Sequence, residues 1–161
     1  MIVIVMGVVG SGKTTVGRLL ADQLGWEFAD ADDFHPAANI EKIHRGIPLT
    51  DQDREPWLAA LHTMISGRIT ADRSLVLACS ALKVSYRRTL GVEPAVRFVY
   101  LKGESALIAE RLHARQGHFA DERILASQLA DLEEPQDAVT VDIAGTPPQI
   151  VHKIRKALDL E

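Results

Sequence analysis

The sequence predicts an α/β fold, a five-stranded parallel sheet with helices on both faces, organised around a phosphate-binding loop that joins the first strand to the first helix. Two observations carry this. Gly7-Val8-Val9-Gly10-Ser11-Gly12-Lys13-Thr14 spells G-x-x-x-x-G-K-T between an apolar run, residues 2–6, and an amphipathic segment beginning at Lys13. Short apolar runs then alternate with segments of helical periodicity along the whole chain, the spacing of right-handed crossovers.

Each element has its own justification. Residues 2–6 are apolar at every position, as in a strand buried on both faces. Between residues 13 and 24, Val16, Leu19, Leu20 and Leu24 recur at helical spacing, and Gly25 supplies the stop. Residues 26–30 read as a second strand that continues into Asp30-Ala31-Asp32-Asp33-Phe34-His35-Pro36. If extended geometry persists there, Asp30 and Asp32 share one side and Asp33 points away. Pro36 opens a short helix to about His44, closed by Arg45-Gly46-Ile47-Pro48. Thr50-Asp51-Gln52-Asp53 is an oxygen-bearing cap with an acidic first turn. The helix it starts carries Trp57, Leu61, Met64 and Ile65 as its buried stripe and Arg54 at its mouth. Residues 74–79 form a third strand, followed by Ser80-Ala81-Leu82-Lys83 and a basic helix with Tyr86, Arg87 and Arg88. Residues 96–101 are the fourth strand. A helix from 104 to about 115 turns Leu107, Ile108 and Leu112 inward, and Gln116-Gly117-His118-Phe119 breaks its pattern. Ile124, Leu125, Gln128, Leu129 and Leu132 resume it. Residues 138–143 are the last strand, and Gly145-Thr146-Pro147-Pro148 turns into a closing helix. The strand ends bearing Gly7, Asp30 and Asp32, Ser80, and Leu101 and Lys102 are expected along one carboxyl edge, where such folds bind ligands.

At 161 residues and 47% hydrophobic content the chain suits a single domain, 1–161, with a substantial core. No apolar run approaches the ~20 residues of a membrane span, and the first residues lack signal-peptide flanks, so a cytoplasmic protein without membrane attachment is expected. The one cysteine, Cys79, leaves no internal disulfide and no cysteine-clustered metal site; at the end of an apolar strand it is given no catalytic role. A net charge of -4 with interspersed signs lacks the basic stripe of a nucleic-acid binder and favours a small ligand.

The loop's glycines let several backbone N–H groups converge on one point, where the following helix adds the positive end of its dipole. An anion of polyphosphate size fits there. Lys13 reaches the terminal phosphates as a point charge, and the Thr14 hydroxyl is placed to ligate a bridging magnesium ion. Thr15 completes the expected nucleotide-binding set, residues 7–15.

Further blocks accompany this loop: Phe28-x-Asp30-x-Asp32, His35-Pro36, Asn39-Ile40-Glu41-Lys42, Gly46-x-Pro48-Leu49-x-Asp51-x-Asp53-Arg54-x-Pro56-Trp57-Leu58, Cys79-Ser80-Ala81-Leu82-Lys83, Tyr86-Arg87, Tyr100-Leu101-Lys102-Gly103, Arg111-Leu112-x-x-Arg115-x-Gly117-His118-Phe119 and Ser127-Gln128. Together they resemble the gluconokinase family of small P-loop kinases, related to the shikimate kinases, over nearly the whole chain. The loop alone is shared by many functions; the Asn39–Lys42, Cys79–Lys83 and Gly117–Phe119 blocks make the likeness specific. The resemblance implies transfer of the γ-phosphoryl group of ATP to D-gluconate, giving 6-phospho-D-gluconate and ADP with Mg2+, and it suggests a homodimer. Two other assignments stay open: another small-molecule kinase of this fold, acting on shikimate, adenylylsulfate or a different sugar acid, and a nucleotide-dependent binding protein that phosphorylates no metabolite. The last lacks a guanine-specificity motif.

Phosphoryl transfer needs a group to deprotonate the acceptor hydroxyl and positive charge over the transferring phosphoryl. Asp32, expected one strand over from the loop, is the candidate base for the 6-hydroxyl of the sugar acid, and Asp30 the residue that holds magnesium through water; similar shikimate kinases carry an Asp-x-Asp in this place. Asp33 is left as structural. The acceptor's carboxylate calls for Arg54 with Lys83 or Arg87, and its hydroxyls for His35 and Ser80. Arg88 reads as a solvated helix residue, and Trp57 as core that also walls the sugar site. Residues 115–123 read as a mobile lid from which Arg115 swings onto the phosphates. By resemblance Arg111 lies against the adenine ring, beside the turn at residues 144–147. After Phe119 the chain departs from the commoner family pattern with Ala120-Asp121-Glu122.

Overall fold

The computed structural model of the chain describes residues 1–114 and 119–161, the side chains of residues 119–122 excepted. In chain order the strands are β1 (Ile2–Met6), β2 (Glu27–Asp30), β3 (Leu75–Ala78), β4 (Val96–Lys102) and β5 (Val139–Asp142). The helices are α1 (Lys13–Leu24), α2 (Ala37–His44), α3 (Asp51–Thr70), α4 (Val84–Leu90), α5 (Ser105–Ala114), α6 (Phe119–Asp131) and α7 (Pro147–Ala157). A single 3-10 turn, Ala31–Phe34, follows β2.

All strand pairs are parallel, in the order β2-β3-β1-β4-β5. The predicted five-stranded sheet is therefore present. β1 is central and every one of its residues is buried, as its unbroken apolar sequence requires. Its alternating side chains feed two cores. Val3 and Val5 pack with α1, α5 and α7 through Leu20, Leu112 and Ile154, while Ile2, Ile4 and Met6 pack with α3 and α4 through Leu61, Ile65 and Leu90.

Two expectations about the second strand are corrected. β3, not β2, is the neighbour of β1, so the acidic residues lie two strands from the loop rather than one. Extended geometry also stops at Asp30: the Asp30 carboxylate accepts a hydrogen bond from the Asp32 backbone N–H at 3.0 Å and curls the chain into the 3-10 turn. Asp30 and Asp32 thus come together through a turn, not through the two-residue period of a strand. Register brings their edge level with the loop, because Asp30 pairs with Ala78, and Ala78 with Val5.

α3 begins as its sequence predicts. Thr50 Oγ1 accepts from the Asp53 backbone N–H at 3.0 Å and Asp53 accepts from the Thr50 N–H at 2.9 Å, a reciprocal cap. α2 fastens to that cap. Lys42 Nζ lies 2.8 Å from Asp53 Oδ2, and buried Asn39 donates to the Asp53 carbonyl at 2.8 Å. The Lys42 hydrogen bond, then those from Thr50, hold the Asp53 carboxyl down at about 2. The Asn39–Lys42 block is thus a fastener between two helices.

Candidate active site

The loop after β1 is shaped for an anion. Gly10 (φ 79) and Gly12 (φ 95) occupy left-handed backbone, and a Cβ at Gly10 would stand 2.7 Å from Leu112 Cγ. Gly12 is also the N-cap of α1, which has no side-chain cap and no acid in its first turn. Its positive end is therefore left for a ligand. Ser11 Oγ supports the same fit: it is buried and, among the described residues, is the buried side-chain polar atom without a hydrogen-bond partner. Lys13 Nζ arches back over the loop and donates to the Val8 carbonyl at 3.1 Å.

Beside the loop lies a cleft of about 420 Å³ bounded by Gly10 to Gly12, Thr15, Arg111 and Gly145 to Pro147. That is room for a purine nucleoside. Arg111 is fixed at its rim, donating through Nη2 to the Ile143 carbonyl at 2.7 Å, where the turn after β5 begins. The assignment of Arg115 and the first part of the expected lid, positions 115–118, lie outside the described residues, and positions 119–123 of that segment form the start of α6.

On the other side of the loop the acidic pair closes in. Thr14 Oγ1 donates to Asp30 Oδ2 at 3.1 Å, which joins the two candidate magnesium ligands across the intervening β3. Asp32 keeps solvent contact along much of its surface, yet the protein packed around its carboxyl raises its pKa above the usual carboxylate range; the Asp30 charge adds to this, and Lys13 and His35 oppose it.

His35 ends the 3-10 turn and stacks on Trp57, ring centroids 4.5 Å apart and planes 11° from parallel. Trp57 is itself pinned by its indole N–H to the Ala31 carbonyl at 2.7 Å. The tautomer of His35 follows from its partner. Asn39 Nδ2 can only donate, so His35 Nδ1, 3.2 Å away, accepts and the ring proton sits on Nε2. Burial lowers the His35 pKa, and Arg54 adds to the effect against Asp32, which favours the neutral ring. Ser80, at the end of β3, stands next to the loop, its carbonyl accepting from the Gly7 N–H at 3.4 Å.

The cationic candidates separate. Arg54 and Lys83 converge with Tyr86: Arg54 Nη1 lies 3.1 Å from the Tyr86 hydroxyl, and both cations lie over the Tyr86 ring. Arg87 does not join them. It is buried, and its guanidinium donates to the carbonyls of Ala81 at 2.7 Å, Leu82 at 3.0 Å and Glu133 at 2.7 Å. The assignment of Arg87 to the acceptor carboxylate is therefore withdrawn in favour of Lys83. Arg87 instead holds the turn in which Ala81 takes a positive φ of 46, and that turn presents Ser80 and Lys83 to the site. Arg87→Met should lower stability by about 2 kcal/mol, since three carbonyls lose their donor, and a urea melt measures it. Arg88 is exposed, as expected.

Gln128, within the inward stripe of α6, has a role that periodicity does not show. Its Oε1 accepts from the Val9 backbone N–H at 2.6 Å, so α6 buttresses the phosphate-binding loop.

Known proteins resemble this chain in sequence and fold. A family model described as an AAA domain matches residues 2–135. A gluconokinase of Gluconobacter oxydans (strain 621H) is 49% identical over 135 residues, 83% of this chain and 76% of that one. A sugar kinase from Janibacter sp. HTCC2649 superposes with a TM-score of 0.90 at 44% identity, covering 99% of this chain and 94% of that one. A gluconokinase from Sinorhizobium meliloti 1021 does so with a TM-score of 0.85 at 42% identity, covering 98% and 94%. Such identity, held over a fold whose loop and acidic pair meet at one edge, means that this chain belongs to the gluconokinase family of P-loop kinases.

Proposed function

We propose that the protein transfers the γ-phosphoryl group of ATP to the 6-hydroxyl of D-gluconate, giving 6-phospho-D-gluconate and ADP. The meeting of Thr14 with Asp30, whose carboxylate also holds the backbone N–H of Asp32, is the observation that carries this, within a chain of gluconokinase kinship. The loop amides, residues 7–15, cradle the phosphates, while Arg111 and the turn at 144–147 wall the purine. Thr14 and Asp30 would hold a magnesium ion beside the loop. Among the described residues no three His, Cys, Asp or Glu side chains converge into a cage of their own. Bound there, the ion would offset the negative charge of the phosphates. Asp32 takes the proton from the 6-hydroxyl as that oxygen bonds to the γ-phosphorus, and Lys13 steadies the charge that passes to the departing ADP. His35 Nε2–H and Ser80 orient hydroxyls, and Arg54 with Lys83 receives the carboxylate.

The chain then acts as a single domain on a small soluble acid. No described helix is long and apolar enough to cross a membrane. A coupled ADP-release assay across gluconate, idonate, shikimate and glucose tests the assignment; no stimulation by gluconate over background ATP hydrolysis ends it. In the same assay Arg54→Ala should raise the KM for gluconate at least ~10-fold, the loss of a charge-assisted hydrogen bond, with the KM for ATP little changed. Equal losses for both substrates would take Arg54 out of the acceptor site.

A further inference from the structure

The two cations assigned to the acceptor's carboxylate already hold a carboxylate, that of Asp51. Lys83 Nζ lies 2.9 Å from Asp51 Oδ1, the Tyr86 hydroxyl donates to the same oxygen at 2.5 Å, and Arg54 Nη1 stands 3.9 Å from it. The three donors come from separate places: Arg54 from the first turn of α3, Lys83 from the cap of α4, Tyr86 from within α4. Arg54 lies one helical turn before Trp57, whose ring stacks on His35. A phenol and two cations aimed at one carboxylate oxygen form a recognition site for a carboxylate of any origin.

Nothing in the packing requires that carboxylate to be Asp51. Its side chain is 68% exposed, and the start of α3 is capped by Thr50 and Asp53 without it. An ion pair so open to water is weak, and a carboxylate at a helix N-terminus keeps the favourable end of the helix dipole when it swings away. The Tyr86 and Lys83 hydrogen bonds lower its pKa, which keeps it ionised and in place until another anion arrives.

We propose that Asp51 is an internal stand-in for the acid group of the substrate, keeping Arg54, Lys83 and Tyr86 assembled in the empty enzyme and yielding them when the sugar acid binds. The inference rests on the acceptor assignment above. It makes Asp51 a determinant of affinity: substrate competes with a tethered carboxylate, and its apparent affinity falls by the fraction of molecules in which the clamp is taken.

The test is steady-state kinetics of the full-length enzyme and its Asp51→Asn variant with gluconate, idonate and glucose, with Asp51→Ser as a second, equally helix-compatible change. Removing the tethered charge should lower the KM for the phosphorylated acid about fivefold, the scale of one exposed ion pair, and leave kcat and the KM for ATP unchanged. A KM that is unchanged or higher in both variants overturns the stand-in while leaving gluconate phosphorylation intact, and would make Asp51 part of the substrate-bound clamp or inert. If neither acid stimulates ADP release by the wild-type enzyme, the acceptor assignment fails and this inference falls with it.

Discussion

Asp32→Asn lowers turnover on gluconate by ~10²-fold or more while ATP still binds, the loss expected when a positioned general base is removed. The substitution keeps the shape of the side chain. It also leaves the 3-10 turn intact, because that turn is closed by the Asp32 backbone N–H and the Asp30 carboxylate. The pH profile adds a second reading of the same residue. Burial, and then Asp30, raise the Asp32 pKa in the folded protein, so the base is lost to protonation at a higher pH than an ordinary aspartate would be. Activity carried by its ionised form is complete above that pKa and falls as pH drops through it. The acid limb of kcat/KM in the wild type should therefore lie above the usual carboxylate range and be missing from the residual activity of Asp32→Asn. Unchanged turnover, or an identical limb in both proteins, moves the base elsewhere. Calorimetric titration with ATP separates lost chemistry from lost nucleotide binding.

Lys13→Ala has an effect of comparable size by a different route. Its ammonium reaches over the loop to the Val8 carbonyl and its charge lowers the Asp32 pKa, so in the proposed reaction it serves both the phosphates and the base. Removing a cation aimed at developing charge costs on the order of 10² to 10³ in turnover. Unlike Arg54→Ala, this loss should be the same for every acceptor and should extend to background ATP hydrolysis. The sign of the coupling to Asp32 gives an independent check. Lys13 lowers the Asp32 pKa, so its removal should move the acid limb of the residual activity to higher pH. A limb that stays in place would mean that the two groups do not share a cleft in the working enzyme.

How far the sequence reached depends on the range of the interactions involved. The loop, the αL glycine at the end of α1 (Gly25, φ 68) and the cap of α3 are all written within a few residues, and all three were legible. Periodicity separated strands from helices for the same reason. Strand order was not legible, since nothing in β1 or β2 states that β3 will come between them. The Asp30–Asp32 turn was missed because an aspartate's hydrogen bond to the backbone two residues on competes with strand extension, and pattern alone does not choose the winner. Arg87 was misassigned because its partners include a carbonyl at Glu133, from a distant part of the chain that periodicity cannot see. Gln128 escaped notice likewise, with its partner at Val9. Asp51 was visible as the acid of a helix start, but its hold on Lys83 and Tyr86 needed the packing of α3 on α4.

The floor of the site offers a last consequence. Cys79, the residue just after β3, is buried, and that burial pushes its thiol up to about 12. It is the chain's sole cysteine, so a thiol-directed dye finds no target on the native surface and stains a molecule once the strands beneath the ligands have parted. Labelling kinetics thereby become a clock for unfolding, and slower labelling with nucleotide and sugar acid present reports how firmly the pair ties the sheet together.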